Sequence, residues 1–438
     1  MEQSLTAPKV ARRTRWSWYF YDFGNSAYAA VVLLAVYSSY FKNAVVGGAE
    51  GTRLWGISIG IAAIIVAIIS PVLGSIADFS KSKKRFLFIF TTISVVFTAM
   101  LFFVQKGDVL AGMVYFILAE IGYRGAQVFY DALLVDVSTP ETIGSVSGKG
   151  WAIGSAGGVV ALLIVLIPIQ LIGGTEIVRI SFLITAVFYA LSSIPTFLWV
   201  RQISEPEKLP AGESTITHAF KNLASTFRDV RHYKEFIKFM AAFLIYNDGV
   251  MMTLDYAAII GSTLFGISQK ELIVFVIIVQ ITSVAGAYLF GIISDRMSCK
   301  DSLIISLIAM AVTVAMLFFI HSTILFYIVG ALAGFFLSGV QAVSRTFVSQ
   351  LAPSSKTTEF YGFLTVAGRT STFIGPLVFG TISFRMHNYY VNHGLASLQA
   401  EQQGMLWGVG SIILFLVVGL VILLSVARLA PKRRPVAE

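Results

Sequence analysis

Inside an otherwise apolar stretch, Glu120, Arg124, Gln127 and Asp131 follow one another at the three- and four-residue intervals that share one helix face. Ser338, Gln341 and Arg345 repeat that spacing in a second apolar stretch, and Asp22, Asn25, Tyr246, Asn247 and Asp248 stand in two more. A charge in such surroundings costs on the order of 3 kcal/mol on membrane-insertion scales, so it faces a partner or a wet cavity. The chemistry on offer is recognition and coupling. Arg369, about 8 Å or more from either interface by helix rise, is a cationic fork suited to a carboxylate or phosphate; it could equally pair with Asp22 or Asp248. Asn25, Gln127, Tyr130, Tyr246, Asn247 and Gln341 offer neutral hydrogen bonds to a polar solute and, with Arg369, form the candidate substrate-binding set. Asp22 and Asp248 are the proton-coupling candidates, because a carboxylate shielded from water can take up and release a proton as a cavity changes sides. The competing reading for each is a structural carboxylate capping a broken helix beside Gly24 or Gly249.

The elements that position these residues are membrane spans. With 56% hydrophobic residues, 13% charged residues and a mean hydropathy of +0.80, the chain lies outside the soluble globular range. Apolar runs long enough to cross a bilayer fall near 16–42, 54–77, 85–104, 109–136, 150–172 and 178–200, and again near 236–264, 271–294, 302–320, 324–350, 357–382 and 405–427. This predicts an all-α membrane protein of twelve helices in two six-helix halves, 1–200 and 236–438. The linker between them, 201–235, carries Pro206, Pro210 and Gly212, and its stretch 219–233 could lie on the membrane as a surface helix. About two thirds of the 32 Lys and Arg fall in the termini, the linker and the loops on the same side as these. Both termini therefore face the cytoplasm, which points to a plasma membrane, in a bacterium the inner one.

The halves share one layout. Gly74-Ser-Ile-Ala-Asp78 ends the second span before a basic loop, and Gly291-Ile-Ile-Ser-Asp295 ends the eighth; Gln127, Gly148 and Gly154 recur as Gln341, Gly362 and Gly368 at one constant offset. Such duplication in a membrane chain is the usual mark of a secondary transporter with its path between the halves.

With its Gly-xxx-Asp-plus-basic loop echoed in each half, the chain resembles the major facilitator superfamily. The resemblance implies a cytoplasmic latch formed by Gly74, Asp78, Arg85, Gly291, Asp295 and Arg296, although Lys81 and Ser298 replace the usual loop glycine. Four further segments narrow the match: Tyr21-Asp22-Phe23-Gly24-Asn25-Ser26-Ala27, Phe129-Tyr130-Asp131-Ala132, Tyr246-Asn247-Asp248-Gly249 and Gly339-Val340-Gln341-Ala342-Val343-Ser344-Arg345. These look like the autophagy-related vacuolar amino-acid effluxer family and its bacterial "unknown major facilitator" relatives, over nearly the whole chain. In the superfamily the cytoplasmic halves of spans 4 and 10 meet when the transporter opens outward, so Asp131 and Arg345, at equivalent positions, form the candidate gate with Glu120 and Arg124. The alternative is pairing within each half, as of Arg124 with Glu120 one turn away.

The expected function is thus alternating-access transport of a small polar metabolite, an amino acid or related organic anion, with proton coupling as an option. Two alternatives stay open: a flippase or exporter of a lipid or lipid-linked precursor, and a non-transporting receptor on the same fold. An enzyme is disfavoured. All five histidines lie in loops or at span ends, leaving no intramembrane imidazole for metal or nucleophile chemistry. No Gly-x-x-x-x-Gly-Lys loop provides for ATP, and the single cysteine, Cys299, excludes an intrachain disulfide. The net charge of +9 serves orientation rather than nucleic-acid binding. No cofactor or metal is expected; the partners are the solute and the lipid bilayer, and the chain is expected to act as a monomer.

Overall fold

The computed structural model describes residues 12–79, 82–138, 142–202, 214, 217, 221, 233–351, 368 and 373–428. Among these, every regular element is helical. Among the described residues, eleven segments are long and apolar enough to cross a membrane. The helices are α1 (Arg12–Ala27), α2 (Gly48–Phe79), α3 (Lys83–Met100), α4 (Val109–Ala132), α5 (Ile143–Leu171), α6 (Gly174–Trp199), α7 (Lys234–Asp255), α8 (Gln269–Arg296), α9 (Cys299–Ala315), α10 (Thr323–Leu351), α11 (Ile374–Asn392) and α12 (Ser397–Leu424). Much of the predicted eleventh span, most of the linker with its surface helix, and Arg369 itself lie outside the described residues. The all-helical layout agrees with the sequence reading.

Local chemistry sets the helix ends. Ser268 and Glu271 form a reciprocal capping box at the start of α8, and Ser298 Oγ accepts the Asp301 N–H at the start of α9, each satisfying amides that a helix N-terminus leaves open. α1 does not stop at Ala27. It continues through wide π-type turns at Tyr28–Ala35 and Phe41–Val46 around a short α turn, Tyr37–Tyr40. Helices α5 and α6 run through Pro168 and Pro195.

By contact, the chain divides into two compact units. One holds Met1–Leu33, Ile68–Gln105 and Leu110–Lys221; the other holds Leu34–Ala67, Lys106–Val109 and Asn222–Glu438. In the first, α1 packs on α5 and α6, and α3 on α6; in the second, α7 packs on α11 and α12, and α9 on α12. The same scheme is used twice. Both units also tie the start of their third helix to the end of their sixth. Lys84 Nζ donates to the Val200 carbonyl at 2.8 Å, and Lys300 Nζ donates to the carbonyls of Leu424, at 2.8 Å, and Val426. The last carbonyls of a helix lack intrahelical donors and carry its negative dipole end, so an ammonium there answers both.

The turns that continue α1 from Leu34 onward and the larger part of α2, as far as Ala67, belong to the second unit. There Gln269 Nε2 donates to the Ala35 carbonyl at 2.6 Å, and Trp55 Nε1 to the Asp255 carbonyl at 3.0 Å. The Tyr256 hydroxyl donates to the Pro376 carbonyl at 2.8 Å. Gly56 makes this last bond possible, since a Cβ there would overlap both the hydroxyl and the carbonyl. In the same unit Lys42 Nζ meets Glu401 Oε1 at 2.5 Å, with side chains only 6% and 11% exposed. Removing one partner of a buried ion pair strands the other charge at a cost on the order of 3–5 kcal/mol, whereas replacing both with packed apolar chains is often neutral. Lys42→Met and Glu401→Met should each lower the apparent melting temperature of the detergent-purified protein by several degrees, and the double variant should recover most of the loss. Melting curves that superimpose on the parent would show that the pair contributes nothing.

Candidate functional site

In the first unit an aromatic clamp fixes the register of α1 against α4. The Trp18 ring stacks on Tyr130 at 4.4 Å and 6°, and its Nε1 donates to the Tyr130 carbonyl at 3.1 Å. Tyr21, one turn on, stacks on Tyr130 at 5.1 Å and shares hydrogen bonds with Thr91 and Tyr189 at 2.6 and 2.9 Å. α1 and α4 are thereby locked to α3 and α6. Tyr130, expected to meet a solute, sits inside this stack at 5% exposure.

The clamp aligns the polar faces of the two helices. Asp22 and Asp131 lie within electrostatic reach of each other and of Tyr130. Further along, the Tyr28 and Tyr123 rings meet at 4.8 Å, tilted by 32°, the Tyr28 hydroxyl lies against Glu120, and Glu120 Oε1 accepts a hydrogen bond from Arg124 Nε. Glu120 is 1% exposed and Asn25 also 1%. Among the described residues no hydrogen bond of good geometry reaches Glu120 Oε2, Asn25 Nδ2 or the Tyr28 hydroxyl. Arg124 and Gln127 are half-buried, and Asp131 is exposed. The one-turn pairing of Arg124 with Glu120 is therefore the arrangement present. Asp131 in the first unit and Arg345 in the second are both exposed.

The second unit repeats the arrangement with different residues. The Tyr246 hydroxyl shares a hydrogen bond with Ser344 at 2.7 Å. Asn247 Oδ1 accepts from Gln341 Nε2 at 2.9 Å, and Asn247 Nδ2 donates to the Gly368 carbonyl at 3.5 Å. Asp248, 2% exposed, accepts from the Gly375 N–H at 3.3 Å, so it caps the first turn of α11, where a carboxylate complements the positive dipole end. Gly154 faces the Asp22 carboxylate in the first unit, and Gly368, its counterpart by sequence offset, bonds to Asn247 in the second. The structural equivalent of Asp22 is thus Asn247. The sequence carried a signal for this in Tyr21-Asp22 and Tyr246-Asn247, each with a glycine two residues after the polar side chain.

Of the latch residues, Gly74 and Asp78 lie on α2 and Gly291 and Asp295 on α8, while Arg85 and Arg296 are exposed. The lysine ties at Lys84 and Lys300 and the Lys42–Glu401 pair escaped the sequence reading. Lysines beside apolar runs look like orientation signals, and nothing local marks the carbonyl or carboxylate they meet. Among the described residues no three His, Cys, Asp or Glu side chains are placed to hold a metal ion.

Two units of helices with one packing scheme, each carrying polar side chains of its first and fourth helices inside an apolar bundle, define a transporter of the major facilitator type. The family described as "Vacuole effluxer Atg22 like" matches residues 54–137 and 137–395, most of the chain, and the protein belongs to that family. It is 31% identical over 373 residues to the uncharacterized MFS-type transporter YxiO of Bacillus subtilis, covering 83% of this chain and 86% of that one. Autophagy-related protein 22 of Yarrowia lipolytica is 25% identical over 271 residues, covering 56% of this chain and 46% of its own length; the chain thus spans under half of that fungal relative. The fold matches crystal structures of the nucleoside transporter NupG, with a TM-score of 0.72 at 15% identity over 93% of this chain and 99% of that one, and of a bacterial homolog of the human lysosomal transporter Spinster, with 0.71 at 14% over 98% and 100%.

Gly154 and Gly148 provide a matched pair. A Cβ at Gly154 would run into the Asp22 carboxylate, whereas one at Gly148 meets nothing within 4 Å. Overpacking typically costs about 1–3 kcal/mol, so Gly154→Ala should cut transport about tenfold or more while Gly148→Ala leaves it near the parent rate. Equal activity of the two in proteoliposomes would show that the setting of Asp22 is unimportant.

Proposed function

We propose that the protein is a secondary active transporter that moves a small polar metabolite, an amino acid or related organic anion, across a bacterial inner membrane by alternating access, as a monomer with both termini cytoplasmic. The observation that carries this reading is the polar set held by the first, fourth and fifth helices of one unit, Asp22 with Asp131 and Gly154, and echoed by Asn247, Gln341 and Gly368 in the other. Such groups are costly in a bilayer unless they serve a solute or a coupling ion. The family's description as a vacuole effluxer supports export of a metabolite from a compartment, and Arg369 and Gln127 remain in the proposed binding set with Asn25, Asn247 and Gln341.

Of the two carboxylates first considered for protons, Asp248 is the one we assign to that role. Its bond to the Gly375 amide means that gaining a proton removes an anion from the α11 N-terminus, so the proton acquires a mechanical consequence. Purified protein in proteoliposomes should accumulate radiolabelled amino acids when a pH gradient is imposed. Asp248→Asn should keep exchange of internal for external solute but lose accumulation driven by the gradient. Gradient-driven accumulation by Asp248→Asn at the parent rate would remove Asp248 from coupling; absence of amino-acid exchange by the parent would remove the proposed solute class.

A further inference from the structure

One corner of the first unit, where α1 and α3 begin and α6 ends, gathers positive charge. The Arg13 guanidinium sits 3.8 Å from the centre of the Trp199 ring. Lys84 Nζ donates to the carbonyl of the next residue, Val200, at 2.8 Å, and Arg201 follows in the chain. Among the described residues none of these three cations makes an ion pair. The second unit builds the matching corner differently. The offset that carries Asp22 to Asn247 carries Arg13 to Lys238, and the one that carries Asp78 to Asp295 carries Lys84 to Asp301. Lys238 pairs with Glu235 at 2.8 Å, and Asp301 with Arg428, just past the end of α12, at 3.1 Å. One packing scheme thus has its corner neutralised by the chain's own carboxylates in the second unit and left cationic in the first.

The surroundings of the corner say which anion would complete it. Helix α6 has 26 residues, about 39 Å by helix rise, more than the roughly 30 Å of a hydrocarbon core, so its end stands at headgroup level. Each cation tops an outward apolar face. Arg13 shares one with Trp16 and Phe20 on α1, Lys84 shares one with Phe88 on α3, and Arg201 follows Leu198 by three residues. Trp16, Phe20, Phe88 and Leu198 are all exposed. A small soluble anion has no use for such a wall, whereas the acyl chains below a phosphodiester do. Stacking on Trp199 leaves the in-plane N–H donors of Arg13 open to phosphate oxygens.

We propose that this corner of the first unit is a binding site for an anionic phospholipid, its phosphodiester held by Arg13, Lys84 and Arg201 and its chains laid against Trp16, Phe88 and Leu198. The site depends on the membrane fold alone and is independent of which solute is carried.

The test is a thermal-shift titration of the delipidated full-length protein in detergent with phosphatidylglycerol or phosphatidylcholine, since a lipid that binds the folded state raises its apparent melting temperature. The parent should reach half its maximal shift at a mole fraction of phosphatidylglycerol about thirtyfold below that of phosphatidylcholine, and added salt should narrow the preference. Arg201 is exposed and makes no hydrogen bond among the described residues, so Arg201→Gln leaves the Trp199 and Val200 contacts in place; it should cut the preference about fivefold. Arg13→Gln with Arg201→Gln should cut it about tenfold or more. Lys238→Gln with Arg428→Gln removes the same charge from the matching corner of the second unit and should leave the preference at the parent value. A parent without the preference, or an equal fall in the two double variants, would overturn the site. Equal stabilisation by soluble glycerol phosphate, lost in Arg13→Gln with Arg201→Gln, would overturn the lipid in favour of a free anion.

Discussion

Everything polar in this bundle answers to one constraint: a charge or hydrogen-bonding group surrounded by hydrocarbon has to find its complement within reach of its own side chain. Glu120 finds Arg124 one turn along, Lys42 finds Glu401 across a seam, and Asp248 finds the first amides of α11. Lys84 and Lys300 find the last carbonyls of α6 and α12. All but the first of these pairings join elements that apolar contact alone would let slide, because side chains such as Ile68, Leu171, Leu191 and Ile281 face outward and are as content against lipid as against a neighbouring helix. The polar groups fix register; the apolar ones fix only depth.

The aromatic clamp shows how register becomes recognition. The stacking of Trp18, Tyr21 and Tyr130 decides which residue of α1 stands beside which residue of α4. With the helices held this way, Asp22 comes within electrostatic reach of Asp131 and Tyr28 of Glu120. A rigid apolar support with a few directed polar groups is the general form of a small-molecule site.

Much of this was legible in the sequence. Period and length marked the spans, and constant offsets between Gln127 and Gln341 and between Gly154 and Gly368 marked the duplication, because a helix face and a repeat are both one-dimensional patterns. Partners across helices were another matter. Asp131 is the counterpart of Arg345 by offset, and spacing gives no sign that within its own unit it comes within electrostatic reach of Asp22. Asp248 was weighed as a cap for its own interrupted helix beside Gly249; the helix it caps is α11, far away in the chain. Lys42 and Glu401 lie at opposite ends of the sequence and carry no local mark of each other.

The exchange of Asp22 in one unit for Asn247 in the other bears on how alike the two copies are. Two perfect copies of a half-domain would offer the same chemistry twice. An ionisable carboxylate in one unit and a permanently neutral amide at its counterpart make the two first helices chemically unlike despite their shared packing, so that a proton can alter this position in one copy and never in its twin.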